Sequence, residues 1–323
     1  LVLRVLARAV GRRLGLAGPP PGAHDRLDGT DGIDKLVVVD DSPIGRTPRS
    51  NPATYTKLFD RVRAALASEP LAVSRGYDKS RFSFNTAGGR CPECEGAGVL
   101  MVGMRLIGDV SVPCPACRGA RFDPATREVT WRGLDAARIL ELSVDEALER
   151  YGDLPRLSPI LEALASLGLG YLPLGRPAPS LSGGEAQRIR LAAELARPAR
   201  GHALYVLDEP TTGLHPVDAD ALARALDCLV ERGHTVVVAD NHPALVAAAD
   251  RVVELGPGCG LAGGAAVAVG SPAELMADAA SSVGEMLEAR TLARKRPAGG
   301  GLSGEIVLEG VETNNLRGVT ARI

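Results

Sequence analysis

Four cysteines fall into two pairs, Cys91-Pro-Glu-Cys94 and Cys114-Pro-Ala-Cys117, with nineteen residues between them. Two thiolate pairs on tight turns can close a tetrahedron around Zn²⁺, and a closed four-sulfur shell keeps no open position for chemistry, so such a site is structural. Glycines follow both pairs, at Gly96, Gly98 and Gly119. The pattern Cys-x-x-Cys-x-Gly-x-Gly is complete only in the first, because Arg121 stands at the last position of the second. Cys228 and Cys259 have no partner at ligand spacing and read as bystanders.

A second constellation is suited to phosphate. Leu181-Ser-Gly-Gly-Glu-Ala-Gln-Arg188 sits directly ahead of a helical pattern. Paired glycines let the backbone approach an anion, and the free N–H groups of a helix start favour one. About twenty residues on, the apolar run Leu204-Tyr-Val-Leu207 delivers Asp208-Glu209-Pro210 at its end. Two adjacent carboxylates at a strand terminus can divide the work of nucleotide hydrolysis, one serving Mg²⁺ and the next polarising water. The first string resembles the signature motif of ABC ATPases and the second their Walker B strand. That resemblance implies that Ser182, Gly183, Gly184 and Gln187 bind ATP, with Asp208 in the Mg²⁺ role and Glu209 as the base.

The elements needed to hold these groups are those of an α/β fold. At 323 residues, with 45% hydrophobic and 24% charged residues, the chain is long enough for more than one domain and for a sizeable core. Aromatic residues are only 3%, so that core is built mainly of Ala, Leu and Val. The formal charge of −2 gives no global field for nucleic acid, which leaves local basic patches. No apolar run reaches membrane-spanning length, and paired cysteines in a chain of this size fit metal binding in a reducing cytoplasm.

Leu1 to Leu16 reads as an amphipathic helix with Arg4, Arg8 and Arg12 on one face. A strand is expected at Lys35 to Val39, a helix from Ala53 to Leu66, a capped helix after Ser143 with Glu146 at the third position, and another helix from Ser158 to Leu167. From Ser180 onward helices alternate with strands at Ala203 to Leu207, Thr235 to Ala239 and Arg251 to Leu255, the order of a mainly parallel sheet.

Taken with Ser42-Pro-Ile-Gly-Arg-Thr-Pro-Arg-Ser-Asn-Pro-Ala-Thr-Tyr55, Arg81-Phe-Ser-Phe-Asn85 and Asp208-Glu-Pro-Thr-Thr-Gly-Leu-His215, these motifs resemble the UvrA family, the damage-sensing ATPases of bacterial nucleotide excision repair. The resemblance implies a P-loop NTPase of the ABC type with an inserted zinc module, a homodimer that hydrolyses ATP, binds double-stranded DNA and hands lesions to a UvrB-like helicase. It divides the chain into residues 1–74, a nucleotide-binding segment with the basic loop 42–52; 75–125, the zinc module; 126–290, the signature and Walker B segment; 291–304, a linker; and 305–323, the opening of a further nucleotide-binding domain with two strands lacking partners.

No G-x-x-x-x-G-K-[ST] string occurs. The family places a Walker A loop just before the helix matching Leu1 to Leu16, so the expectation is a segment lying between two such loops, inactive alone. Two positions depart from the family. Asp41 replaces a glutamine at the strand end, where a charged oxygen could still meet Mg²⁺. In Asp240-Asn241-His242 the switch histidine, His242, is displaced by one residue, which could aim its ring away from the γ-phosphate or be restored by a small loop shift. For DNA, Arg46, Arg49, Arg75, Lys79, Arg81 and Arg90 are the candidate phosphate contacts. Two rival readings are a UvrA-like paralogue for resistance to DNA-binding antibiotics and a non-hydrolysing zinc-containing binding module.

Overall fold

The computed structural model describes residues 1–104, 108–197, 201–258, 263–291, 307–311 and 319–322. The chain forms two compact units, residues 1–252 and 253–323.

The first unit opens with a π-helical turn, Val2–Ala7, that continues into α1 (Arg8–Arg13) and leads to strand β1 (Lys35–Val39). Next come α2 (Pro52–Tyr55), α3 (Leu58–Ala67) and α4 (Pro70–Ser74). The single helix expected from Ala53 to Leu66 is broken at Lys57, whose left-handed backbone (φ 63°) ends one helix and starts the other. Strands β2 (Val99–Met104) and β3 (Gly108–Pro113) form an antiparallel hairpin that fills the spacer between the two cysteine pairs. A helical subregion follows: α5 (Pro124–Arg127), α6 (Ala136–Glu141), α7 (Val144–Tyr151) and α8 (Ser158–Ser166). Ser143 and Glu146 make the reciprocal capping box that their spacing predicts.

The signature segment opens α9 (Gly183–Leu195), which runs to strand β4 (Ala203–Asp208), α10 (Pro216–Glu231), strand β5 (Thr235–Ala239) and α11 (Pro243–Ala248). Strands β1, β4 and β5 form one parallel sheet with β4 in the middle, in register Val39↔Leu207 and Asp208↔Ala239. Residues Ala203 to Leu207 are all buried, which explains their unbroken apolar run, since a central parallel strand is covered on both faces. Ala7 and Val10 of the first helix pack with Leu204 and Val206 on one face. Leu207 and Tyr205 belong to the larger core, which also holds Ile189 and Leu191 of α9, Leu222 and Leu226 of α10, and the side chains under the cysteines. The alternation of elements carries all the acidic strand ends to one edge of the sheet, where open α/β sheets place their ligands.

In the second unit β6 (Val252–Gly256), β7 (Ala265–Gly270), α12 (Pro272–Ala277) and α13 (Ser282–Thr291) precede β8 (Val307–Val311) and β9 (Val319–Arg322). The expected last strand of the alternation is present as β6, which among the described residues pairs with β7. Strands β8 and β9 correct the expectation of partnerless strands, because they pair antiparallel with each other. The expected linker lies almost wholly outside the described residues, as does Cys259. Among the described residues no helix is long and apolar enough to cross a membrane.

Candidate functional site: a strand-end phosphate site and a four-thiol cluster

Ser182 caps α9. Its hydroxyl accepts from the Glu185 backbone N–H at 3.2 Å, and Glu185 returns a bond by accepting from the Ser182 N–H at 2.7 Å. The second carboxylate oxygen of Glu185 accepts from the Tyr171 hydroxyl at 2.7 Å. Burial works against the charge of Glu185, but these donors hold its carboxyl below the usual range. It therefore stays an anion that fixes the turn, leaving the N–H groups of Gly183 and Gly184 unencumbered by a side chain. Gly184 is required sterically: a Cβ there would lie 2.8 Å from the carbonyl oxygen of Thr212. At Gly183 the nearest atom to such a Cβ would be Cβ of Asp41, at 3.3 Å, so the structure brings the signature turn against the end of β1.

Gln187 faces inward. It is 2% exposed, and its amide donates to the carbonyl oxygens of Val39 (3.2 Å) and Asp208 (2.6 Å), tying β1 and β4 to the signature helix. One turn on, Arg190 grips the chain leaving β1: it pairs with the Asp40 carboxylate and donates to the carbonyls of Ser42 (2.6 Å) and Pro43 (3.2 Å). Despite partial burial, the Ser42 hydroxyl and Arg190 hold Asp40 below the ordinary carboxylate range. Asp41, by contrast, is exposed.

Asp208 is half-buried at the end of β4, and Glu209 is exposed beside it. Glu209 adopts a left-handed backbone (φ 46°), an uncommon state for a side-chain-bearing residue. Its N–H still donates to Ala239 at 2.8 Å, so the ladder to β5 runs one residue past the strand before the chain turns away. The Asp240 carboxylate then latches the two loops. It accepts from the Thr211 N–H (3.0 Å) and hydroxyl (2.7 Å) and from the His242 N–H (2.8 Å). The His242 ring caps α11, with Nδ1 accepting from the Ala244 N–H at 3.2 Å, while Asn241 is exposed.

The four thiols form the second centre. Their sulfur atoms are buried and lie within 4.8 Å of one another, with Cys91–Cys114 at 4.0 Å and Cys94–Cys117 at 3.6 Å. A tetrahedron with zinc–sulfur bonds of about 2.3 Å has edges of about 3.8 Å, so the cluster fits Zn²⁺. The Gly98 N–H donates to Cys94 Sγ at 3.2 Å, a bond that favours the thiolate. Burial pushes the Cys117 thiol up to about 12, so in the absence of metal it holds its proton. Phe84 and Phe82 are buried, and the Phe84, Phe59 and Phe122 rings cluster with centroids 5.3 to 6.5 Å apart, Phe59 stacked on Phe84 and Phe122 edge-on to it.

The basic candidates separate. Arg81 is held by Asp123 (2.9 Å) and Thr126 (2.8 Å), Arg75 by Glu128, and Arg49 and Arg90 share Glu95, each at 3.4 Å. Among the described residues, Arg46 and Lys79 make no side-chain hydrogen bond or ion pair and are exposed. Cys228 is exposed and apart from the cluster. The sequence reading did not single out Arg190, Thr211 or Tyr171. Arg190 carried a signal: it follows Gln187 by three residues, so the two polar groups share one face of the helix.

No protein-family model matches the chain. It is 46% identical over 287 residues to UvrABC system protein A of Micrococcus luteus, an alignment covering 89% of this chain and 29% of that protein. The corresponding protein of Staphylococcus aureus (strain COL) is 44% identical over 288 residues, with 89% and 30% covered. The crystal structure of UvrA2 from Deinococcus radiodurans superposes with a TM-score of 0.75 at 51% identity, over 80% of this chain and 32% of that one. The chain thus spans about three-tenths of the length of the relatives it matches.

Proposed function

Because the chain belongs to the UvrA family over 89% of its length, we propose that it supplies the signature and Walker B half of an ATP site to a DNA-damage recognition ATPase of nucleotide excision repair. The observation that carries this reading is the meeting of Ser182, Gly183, Asp41, Asp208 and Glu209 at one edge of the parallel sheet, pinned by Gln187. The open N–H groups at the start of α9 suit a γ-phosphate presented from an opposing nucleotide-binding domain. Asp208 would hold the Mg²⁺ that neutralises phosphate charge, and the exposed carboxylate of Glu209 would polarise water. Neither can act on a nucleotide without a Walker A cradle, and no such string is present in these 323 residues, so the chain by itself is inert toward ATP.

His242 as it stands caps a helix, which makes Asn241 the freely exposed polar side chain of that turn and slows the site's chemistry. The partners in this reading are double-stranded DNA, a UvrB-like helicase and a second copy of the protein, in the cytoplasm. Arg46 and Lys79 are the phosphate contacts, since the other four basic candidates already hold carboxylates. Binding of the intact protein to a duplex with a single bulky lesion, beside the undamaged duplex, tests this. Lesion-selective binding that Arg46→Ala weakens supports it; equal, weak binding to both duplexes overturns it.

A further inference from the structure

The two cysteine knuckles are built alike. Glu95 and Arg118 take positive φ (49° and 50°), Gly96 and Gly119 follow (82° and 88°), and Gly98 and Arg121 complete them (77° and 69°). These last two positions touch: a Cβ on Gly98 would lie 3.0 Å from the Gly119 carbonyl and 3.1 Å from Cγ of Arg121. A side chain at Gly98 as well would crowd both. The second knuckle bears its side chain in a backbone conformation that costs an L residue free energy, so the use of Arg121 lies in where its side chain goes.

It goes inward. Arg121 is 7% exposed, its guanidinium lies 5.2 Å above the Phe84 ring, and Nη1 and Nη2 donate to the carbonyls of Pro48 (3.0 Å) and Gly175 (2.9 Å). No carboxylate pairs with it among the described residues. Its backbone carbonyl accepts from the Cys91 N–H at 2.9 Å, which puts it in the wall of the thiol cluster. Two carbonyl dipoles accept from Nη1 and Nη2 without cancelling the charge, and an uncompensated buried cation is expensive. Four thiolates around one divalent zinc carry a net charge of about −2, and that charge is the compensation within reach.

The segment it holds leads to the phosphate edge. Residues 42–50 are gripped at one end by Arg190 through Ser42 and Pro43, and at the other by the Ala178 N–H on the Ser50 carbonyl (2.8 Å). Pro48 lies between, with Arg121 as its anchor. We propose that Arg121 is a positioning residue through which metal occupancy of the four-thiol cluster sets the order of loop 42–52 between its two grips. When the thiols are loaded, Arg121 stays buried and Pro48 is held. When they hold no metal, the cation leaves for solvent and the loop is freed between its two grips.

This rests on the metal reading of the cluster and not on the repair reading. The test is backbone hydrogen exchange of residues 45–50 in the intact protein, measured with bound zinc quantified by elemental analysis. The expected result is at least tenfold faster exchange there after chelation, and the same fast exchange in zinc-loaded Arg121→Gln, which chelation then leaves unchanged. Exchange in zinc-loaded Arg121→Gln as slow as in the wild type overturns the proposal. If Arg121→Gln does not retain zinc, Arg121→Lys decides: one ammonium cannot reach both carbonyls, so zinc retained with intermediate exchange supports the role. Loss of zinc there too makes Arg121 a mere part of the knuckle and contradicts it. A wild-type protein that binds no zinc removes the metal premise itself, an outcome independent of any DNA or ATP result.

Discussion

Gln187 donates its side-chain amide to the backbone carbonyl of Asp208 at 2.6 Å, and this one contact joins the signature helix to the strand that presents the acids. The same amide reaches Val39 on β1. Replacing Gln187 with Leu leaves two strand-end carbonyls unpaired in a buried place, a cost of about 1–3 kcal/mol. The unfolding free energy from urea titration is expected to fall by that amount, with the midpoint moving to lower denaturant, and an unchanged midpoint contradicts the structural role.

His242 and Asn241 make separable predictions. His242→Ala removes a helix cap and costs about 1 kcal/mol of stability, while ATP turnover by the complete protein changes less than twofold. Exchanging the two residues, Asn241→His with His242→Asn, restores a cap and frees an imidazole, and turnover rises. A collapse of turnover in His242→Ala at unchanged stability would show the imidazole acting at the nucleotide.

Glu209→Gln is expected to lower ATP turnover of the complete protein about 10²- to 10⁴-fold, the usual worth of a positioned base, with nucleotide binding retained. Rates in single-turnover experiments with pre-bound ATP check it. Loss of nucleotide binding would assign the residue to the metal instead.

Asp40 gives a pH dependence. Its folded carboxyl titrates below the ordinary aspartate value of about 3.9, so the unfolded chain binds the proton more readily than the folded one. The stabilisation is present above about pH 4 and is lost as pH falls through the lower folded value. Wild-type protein should lose stability across that acid window more steeply than Asp40→Asn, as followed by thermal unfolding at stepped pH. Parallel acid profiles would place the Arg190 grip outside the stability of the fold.

Local signals were the legible part. The paired cysteines, the Ser143 cap and the apolar run of β4 each announce themselves within a few residues. What could not be read was remote or conformational. The Arg190 contact with Asp40 spans 150 residues, and the left-handed break at Lys57 contradicts an unbroken helical period. Nor does the string Asp240-Asn241-His242 say that the histidine will spend its ring on Ala244, because an imidazole at a helix start can cap or face the ligand and only the backbone decides.

The most direct test of the account is ATP hydrolysis by a protein that joins this chain to a Walker A loop, with and without lesion-bearing duplex DNA, beside its Glu209→Gln variant and this chain alone. The account predicts turnover that damaged DNA changes, that Glu209→Gln abolishes, and that the 323-residue chain lacks. Turnover indifferent to DNA and to Glu209, or a complete protein that never hydrolyses ATP, would contradict it.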